Sequence, residues 1–313
     1  MGPPHLPIRI DFCDAGNGFI KADNYFFNLL KTRFDICITD RPDFIIYFDS
    51  NQYVHRIQNC VRIYVGPEWW PPPWRECDYA FTSNYLDNPR HLRLPFYVPW
   101  RFGPGLLIKT DENPEGLLAE KSGFCSFLVS TNHPVKSRQR VQFFEKLSKY
   151  KRVDSGGRFM NNIGGPVPLN YQSTTSFLRS HKFHLAFENE SHEGYTTEKI
   201  YDAMAARTVP VYWGNPRVHE EFNPKSFLNY FDYVSDEALI ERIIELDRDD
   251  AKYLEYARQP YFHQNQPNEF FSAQRLLDFF ERIFTTPIEP VARKRRFFEI
   301  NRWFLARKNR PHG

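Results

Sequence analysis

Short apolar-rich runs separated by amphipathic stretches repeat along this chain. Residues 8–12, 35–40, 43–48 and 61–66 have the length and the β-branched or aromatic content of buried strands, and 24–33 (NYFFNLLKTR) has helical spacing. Over 101–123 the pattern dissolves into a run rich in Gly, Pro and acids. A second series follows: a strand at 124–130, a helix at 138–150, a glycine-containing loop at 154–167, a helix at 173–180, a strand at 184–188, a helix near residue 199, a strand at 208–214 and helix-like 239–257. Strands alternating with helices predict a parallel sheet with helices on its faces. Two such series predict two α/β domains, 1–120 and 121–290, facing a cleft, followed by a separate tail, 291–313.

One helix start breaks the usual charge rule. Thr196 or Thr197 is placed to cap a helix whose apolar face is Ile200, Ala203 and Met204, and Lys199 then falls in its first turn. A cation there faces the positive end of the helix dipole, at a cost of about 0.3 to 1 kcal/mol when exposed. An anion docking at the same helix start offsets that cost, and a phosphate-bearing ligand fits. The alternative is a surface ion pair with Glu198 or Glu193. The preceding loop, ENESHEGYTT, lies just past a strand end, where open α/β sheets bind ligands. Arg140, near the start of the 138–150 helix, is a second cation suited to phosphate oxygens, with Arg138 as a neighbouring competitor.

Composition narrows the class. The 313 residues are 41% hydrophobic, 17% aromatic and 25% charged, with a net charge of +3. No apolar run has the length of a membrane span, and neither a secretory signal nor a myristoylation pattern is readable at the start, so a cytoplasmic protein is expected. Five cysteines without a CxxC read as reduced packing residues, and His181 and His184, three apart without a third ligand, do not suggest a metal site. The last 23 residues carry eight Lys/Arg and one acid, while the other 290 carry 33 basic and 37 acidic residues. Phe297, Ile300 and Phe304 alternate there with Arg and Lys, the pattern of a basic amphipathic helix. A peripheral membrane surface, at the inner face, is its first reading; packing on the body comes second and nucleic acid third, since no nucleic-acid module is present.

Other candidates for chemistry are thinner. DAGNGF lacks the third glycine of a dinucleotide fingerprint, and no P-loop occurs. The one Asp-x-Asp, Asp247-Arg248-Asp249, sits in the helix-like 239–257 and reads as a solvated face, so phosphate handling without a metal is expected. Asn189-Glu190-Ser191 is a glycosylation sequon, read as a chance match. VGPEWWPPPW follows a strand: its prolines stiffen a loop, Trp69, Trp70 and Trp74 offer flat faces for sugars, and Glu68 at the strand end is either a surface acid or a general base.

FENESHEGYTTEKIYDAMAARTVPVYWG (187–214) resembles the signature block of the α1,3/4-fucosyltransferases, a FEN…GY.TEKI…A…VP.YWG pattern with its spacing intact. Weaker likeness extends to RVDSGGR, NNIGG, the R-x-x-F-F of Arg140, Phe143 and Phe144, and DYAFTSNY, so it covers most of residues 8–285. The resemblance implies a GT-B fold of two Rossmann-like domains, a GDP-fucose donor in the second domain and an acceptor glycan of galactosyl-N-acetylglucosamine type against the first. It implies fucose transfer with inversion to position 3 of N-acetylglucosamine or glucose, and no cofactor or metal. An α1,4-linking enzyme, another nucleotide-sugar transferase or a non-catalytic glycan binder are the alternatives. By position, Arg140 and Lys199 would hold the diphosphate, and Asn189, Tyr195 and Glu198 would bind donor. Glu198, reaching ribose or fucose hydroxyls, would be catalytic together with Glu68, and Glu68 would be the base. Two positions depart from the pattern: Glu68 has GPEWWPPPW around it where relatives carry Asn and Ser neighbours, and Glu190 replaces a Ser. The lack of a readable membrane anchor resembles the bacterial branch.

Overall fold

A computed structural model describes residues 7–50, 52–101, 103–110, 113–130 and 138–294. The expected strands form two wholly parallel sheets. The first contains β1 (Ile8–Cys13), β2 (Ile36–Ile38), β3 (Phe44–Phe48), β4 (Val61–Val65), β5 (Tyr79–Thr82) and β6 (His91–Arg93), ordered β2-β1-β3-β4-β5-β6. Helix α1 (Tyr25–Leu30) starts where the Asn24 side chain accepts the Phe27 N–H. All five residues of central β4 are buried, as strands covered on both faces require.

The chain then passes through the short helices α2 (Tyr97–Trp100) and α3 (Pro114–Ala119) into the second sheet. Its strands are β7 (Gly123–Phe127), β8 (Val153–Ser155), β9 (His181–Phe187), β10 (Val209–Trp213) and β11 (Leu228–Asn229), ordered β11-β10-β9-β7-β8. Helices α4 (Arg138–Leu147), α5 (Tyr171–Arg179), α6 (Glu198–Ala205), α7 (Asp236–Arg248) and α8 (Asp250–Ala257) accompany it. Phe124, Phe127, Phe143, Phe144, Phe183 and Phe187 dominate its core. The stretch 239–257 is two helices rather than one, because Asp249 ends α7 and its carboxylate accepts the Lys252 N–H at the start of α8.

Helix α9 (Ala273–Thr285) and the short α10 (Val291–Lys294) close the described chain. They correct the expected serial division. Among the described residues, one compact unit comprises those up to Leu94 together with Ser272–Lys294, and the other those within Pro95–Phe271. The cause is the apolar face of α9. Phe279 and Phe280 pack on Phe81 at 5.2 and 5.1 Å between ring centroids, Phe280 also meets Phe26, and Arg33 donates to Asp278 and Glu281. Most of the tail, 295–313, lies outside the described residues, as does the amphipathic helix expected there.

A charged chain of contacts braces the first unit. Asp14, in left-handed backbone (φ 54°) directly after β1, accepts the N–H groups of Val54 and His55 and lies 2.5 Å from His55 Nδ1. His55 Nε2 is 3.0 Å from Glu76, which Arg56 also grips, and the ring stacks on Tyr47. Burial works against the imidazolium, but the bonds to Asp14 and Glu76 outweigh it and raise the His55 pKa. A raised folded-state value contributes stability below the unfolded pKa of about 6.5, and that contribution is lost as pH rises through the folded value. Buried His91 and His184, depressed to about 4 and about 3, act oppositely, and their contribution is complete above about 6.5. His55→Gln should therefore cost about 1 to 3 kcal/mol in urea unfolding below pH 6.5, with the gap to wild type narrowing as pH rises. A gap independent of pH would show that the imidazolium has no role.

Candidate active site

The second unit gathers the predicted donor-binding residues at the carboxyl end of β9. Glu188, the next residue, continues the sheet ladder by donating its N–H to Trp213 O, and its side chain is completely buried. Oε1 accepts the Thr197 N–H at 2.7 Å, and Oε2 accepts the Thr197 hydroxyl at 2.7 Å and Lys199 Nζ at 2.9 Å. Thr197 thus occupies the N-cap position of α6, but its hydroxyl turns to Glu188 instead of capping the helix. Lys199 Nζ also donates to Thr197 Oγ1 at 2.9 Å and lies 3.6 Å from Glu198. Glu193 pairs with Arg217 instead. The anomalous lysine is therefore mostly buried and stands over a buried carboxylate, a partner that surface pairing did not anticipate.

Arg140 reaches the same place from α4. It is buried, whereas Arg138 at the helix start is exposed. Its Nη1 donates to Asn189 Oδ1 at 2.8 Å, and Asn189 Nδ2 donates to the Tyr195 hydroxyl at 3.4 Å. Burial lowers the Arg140 pKa, with Glu188 and Tyr195 opposing. For Lys199, burial and the Arg140 charge oppose the ammonium, but Glu188 and Glu198 outweigh them and raise its pKa. The two cations thus sense each other within one cluster. Glu198 at the start of α6 is disfavoured as an anion by burial, yet Lys199 and Arg101 hold its pKa below the ordinary value.

A second set of bonds fixes the loop between them. Gly194 takes φ 86°, and its N–H donates to buried Asn215, whose amide donates to Thr196 Oγ1 and to Glu221. Tyr212 donates its hydroxyl to Tyr195 O. On α6 itself, Asp202 receives a two-pronged contact from Arg101 at 2.6 and 2.7 Å. Glu188, Asn215, Glu221, Arg101 and Asp202 are the residues that sequence reading missed. The available signal was a glutamate ending an otherwise apolar strand, HLAFE.

Glu68 belongs to the other unit, half-buried in the loop beyond β4. Asp49, one residue past adjacent β3, has its pKa raised by burial and by the Glu68 charge. In the same loop Trp69 and Trp70 pack at 3.8 Å between centroids, Asn84 donates to Trp69 O, and Arg90 covers the Trp74 ring. The Asp-x-Asp is not a solvated face. Asp247 is almost buried and accepts from Tyr150 and Lys151, while Asp249 is spent as a helix cap. His184 bonds Ser126 and His181 faces Asp154. Among the described residues no group of three or more His, Cys, Asp or Glu is placed to hold a metal ion, and the five cysteines are free thiols.

Two family models match this chain. The "Glycosyltransferase family 10 (fucosyltransferase) C-term" model covers residues 118–276, and the "Alpha-(1,3)-fucosyltransferase FucT N-terminal domain" model covers 10–100. The chain belongs to glycosyltransferase family 10. An α-(1,3)-fucosyltransferase of Helicobacter pylori is 28% identical over 333 residues, spanning 90% of this chain and 66% of the relative, so the family-10 chain covers just under two thirds of that protein. A 3-galactosyl-N-acetylglucosaminide 4-α-L-fucosyltransferase of Bos taurus is 39% identical over 122 residues, 38% of this chain and 32% of that one. A crystal structure of an α1,3-fucosyltransferase with GDP-fucose matches with a TM-score of 0.72 and 26% identity, over 93% of this chain and 94% of the other. The two parallel α/β units are thus those of a GT-B fold.

In this family-10 chain, Gly214 follows β10 against Glu188. A Cβ there would stand 2.3 Å from Glu188 Cγ, too close for a side chain that is fully enclosed. Gly214→Ala should cost about 1 to 3 kcal/mol in urea unfolding; unchanged stability would mean that Glu188 is free to shift.

Proposed function

We propose that this chain transfers L-fucose from GDP-fucose, with inversion, to position 3 of an N-acetylglucosamine or glucose residue in a galactosyl-N-acetylglucosamine-type acceptor. The observation that carries the reading is the convergence of Arg140 and Lys199, from two helices, on one cluster at the carboxyl end of β9. Family membership and the α-(1,3)-fucosyltransferase activity of the relatives support it.

In this reading Arg140 and Lys199 hold the diphosphate. Asn189 and Tyr195 orient Arg140 beside the donor, and Glu198 accepts hydrogen bonds from hydroxyls of ribose or fucose. Glu68 takes the proton of the acceptor hydroxyl as its oxygen attacks the anomeric carbon of fucose. The anomeric C–O bond to GDP breaks, and its electron pair passes to the β-phosphate, where the two cations stabilise the developing charge. Neutralisation by fixed cations assigns no step to a metal or cofactor. The bovine relative, a 4-α-L-fucosyltransferase, favours α1,4 linkage as the second reading.

Incubation with GDP-fucose and each of the two isomeric galactosyl-N-acetylglucosamine disaccharides, followed by linkage analysis, tests the activity. Fucose at position 3 is expected, and no fucosylated product with either sugar would overturn the reading. Glu68→Gln should lower kcat about 10²- to 10⁴-fold with GDP binding retained; unchanged turnover would remove Glu68 as the base.

For the tail, we infer a peripheral role at the inner membrane face, with a cytoplasmic location and no nucleic-acid partner. The excess of eight Lys/Arg over one acid in the tail supports attraction to an anionic lipid surface. The full chain should sediment with vesicles containing phosphatidylserine, less so as salt rises, and not with phosphatidylcholine alone. Equal sedimentation with both would remove the electrostatic assignment.

A further inference from the structure

We propose that Glu188 is a positioning residue for donor binding: it fixes the direction of the Lys199 ammonium and keeps that buried amine charged. The proposal rests on the assignment of Lys199 to the diphosphate. Glu188 itself has no surface from which to touch a substrate.

The bonding pattern identifies the group as a carboxylate with a purpose. Three donors converge on its two oxygens, namely the Thr197 N–H, the Thr197 hydroxyl and the Lys199 ammonium. An ionised carboxylate only accepts, so it satisfies all three, whereas an amide would turn a donor toward at least one of them. A lysine side chain has a long flexible stem and three donor directions. Glu188 takes one and Thr197 Oγ1 another, which sets the third. Thr197 is itself tied to Glu188 twice, so a single buried group fixes both partners of the ammonium.

The same contact answers the electrostatic difficulty of the site. The charged groups around Lys199 are Glu188 beyond β9, Glu198 and Asp202 on α6, and Arg140 on α4; His184 on β9 also senses its charge, while Tyr195 in the loop faces Arg140 and Tyr212 on β10 faces Glu188. Asp202 is engaged by Arg101 and Glu198 is shared between Lys199 and Arg101, leaving Glu188 as the carboxylate in direct hydrogen bond with the amine. Without it, Glu198 alone is left to oppose burial and the neighbouring Arg140, both of which favour a neutral amine that would bind a diphosphate weakly.

GDP titrations and steady-state kinetics of wild type, Glu188→Gln, Glu188→Asp and Lys199→Ala, between about pH 7 and about pH 9, separate the possibilities. Glu188→Gln should lower kcat/KM for GDP-fucose by about 10- to 100-fold, the range for removing an outer supporting partner, and its GDP affinity should decline with pH relative to wild type. Glu188→Asp keeps the charge at shorter reach and should recover part of the loss and most of the pH behaviour. A merely structural role would lower the melting temperature without changing the pH dependence. Should Glu188→Gln not fold, the inference stands or falls on Glu188→Asp, where kcat/KM should fall at least threefold. It is overturned if the folded variant matches wild type within twofold, with the same pH dependence, while Lys199→Ala loses GDP binding. If Lys199→Ala binds GDP like wild type, the donor-site reading has failed instead, a result distinct from the first.

Discussion

A carboxylate sealed from water at the end of β9 sets the terms for its surroundings. Burying an ionised group without partners costs several kcal/mol, so Glu188 can exist there only where donors are brought to it. The start of α6 brings them: a backbone N–H at the positive end of the helix, the hydroxyl of Thr197, and the ammonium of Lys199. Each otherwise odd local feature then has one cause. The N-cap threonine does not cap, a lysine occupies the first turn of a helix, and the residue opposite is a glycine because no Cβ fits beside the Glu188 stem. The penalty that the helix dipole imposes on Lys199 is offset by an anion already built into the protein.

A rigid frame surrounds this arrangement. Asn215 ties Gly194, Thr196 and Glu221 together in the interior, Tyr212 holds the Tyr195 carbonyl, and Asn189 connects Arg140 to Tyr195. These bonds join loop 188–197 to the segment after β10 and to α4, so the two cations are held by elements whose positions are already determined by the sheet. Such fixed charges require little reorganisation when an anion arrives, which is the property that electrostatic stabilisation of a leaving group depends on.

The parts of this molecule that were legible in the sequence are those with a local physical signal. Buried parallel strands read as apolar runs, and α6 was readable from the spacing of Ile200, Ala203 and Met204, all buried. Arg140 and Lys199 stood out as cations near helix starts beyond strand ends. What escaped had no local signal. Whether α9 packs on the preceding sheet or returns to the first one depends on Phe26 and Phe81, which lie in the first sheet's own segment far earlier in the chain. The break at Asp249 is one side-chain bond inside a continuous helical pattern. The partners of His55 lie 41 and 21 positions away, and Glu188 looks like an ordinary acid until its burial is known. Periodicity reports which face of an element is covered, and is silent on what covers it.

The two units use the carboxyl ends of their strands in opposite senses. In the first, Asp14 follows β1, Asp49 follows β3 and Glu68 lies beyond β4, so strand ends there gather acids, and the Asp49 carboxyl is made harder to ionise by burial and by Glu68. In the second, the acid Glu188 is buried below and cations stand above it. The proposed inverting transfer to a neutral hydroxyl calls for a group that accepts a proton and a group that tolerates negative charge on the departing phosphate. A carboxylate beside two unshielded cations would be a poor base, since their field favours its ionised form. In the first unit Asp14 is engaged by His55, and in the second Glu188 is engaged by Lys199, so each of these buried acids at a strand end is matched by a basic partner from its own unit.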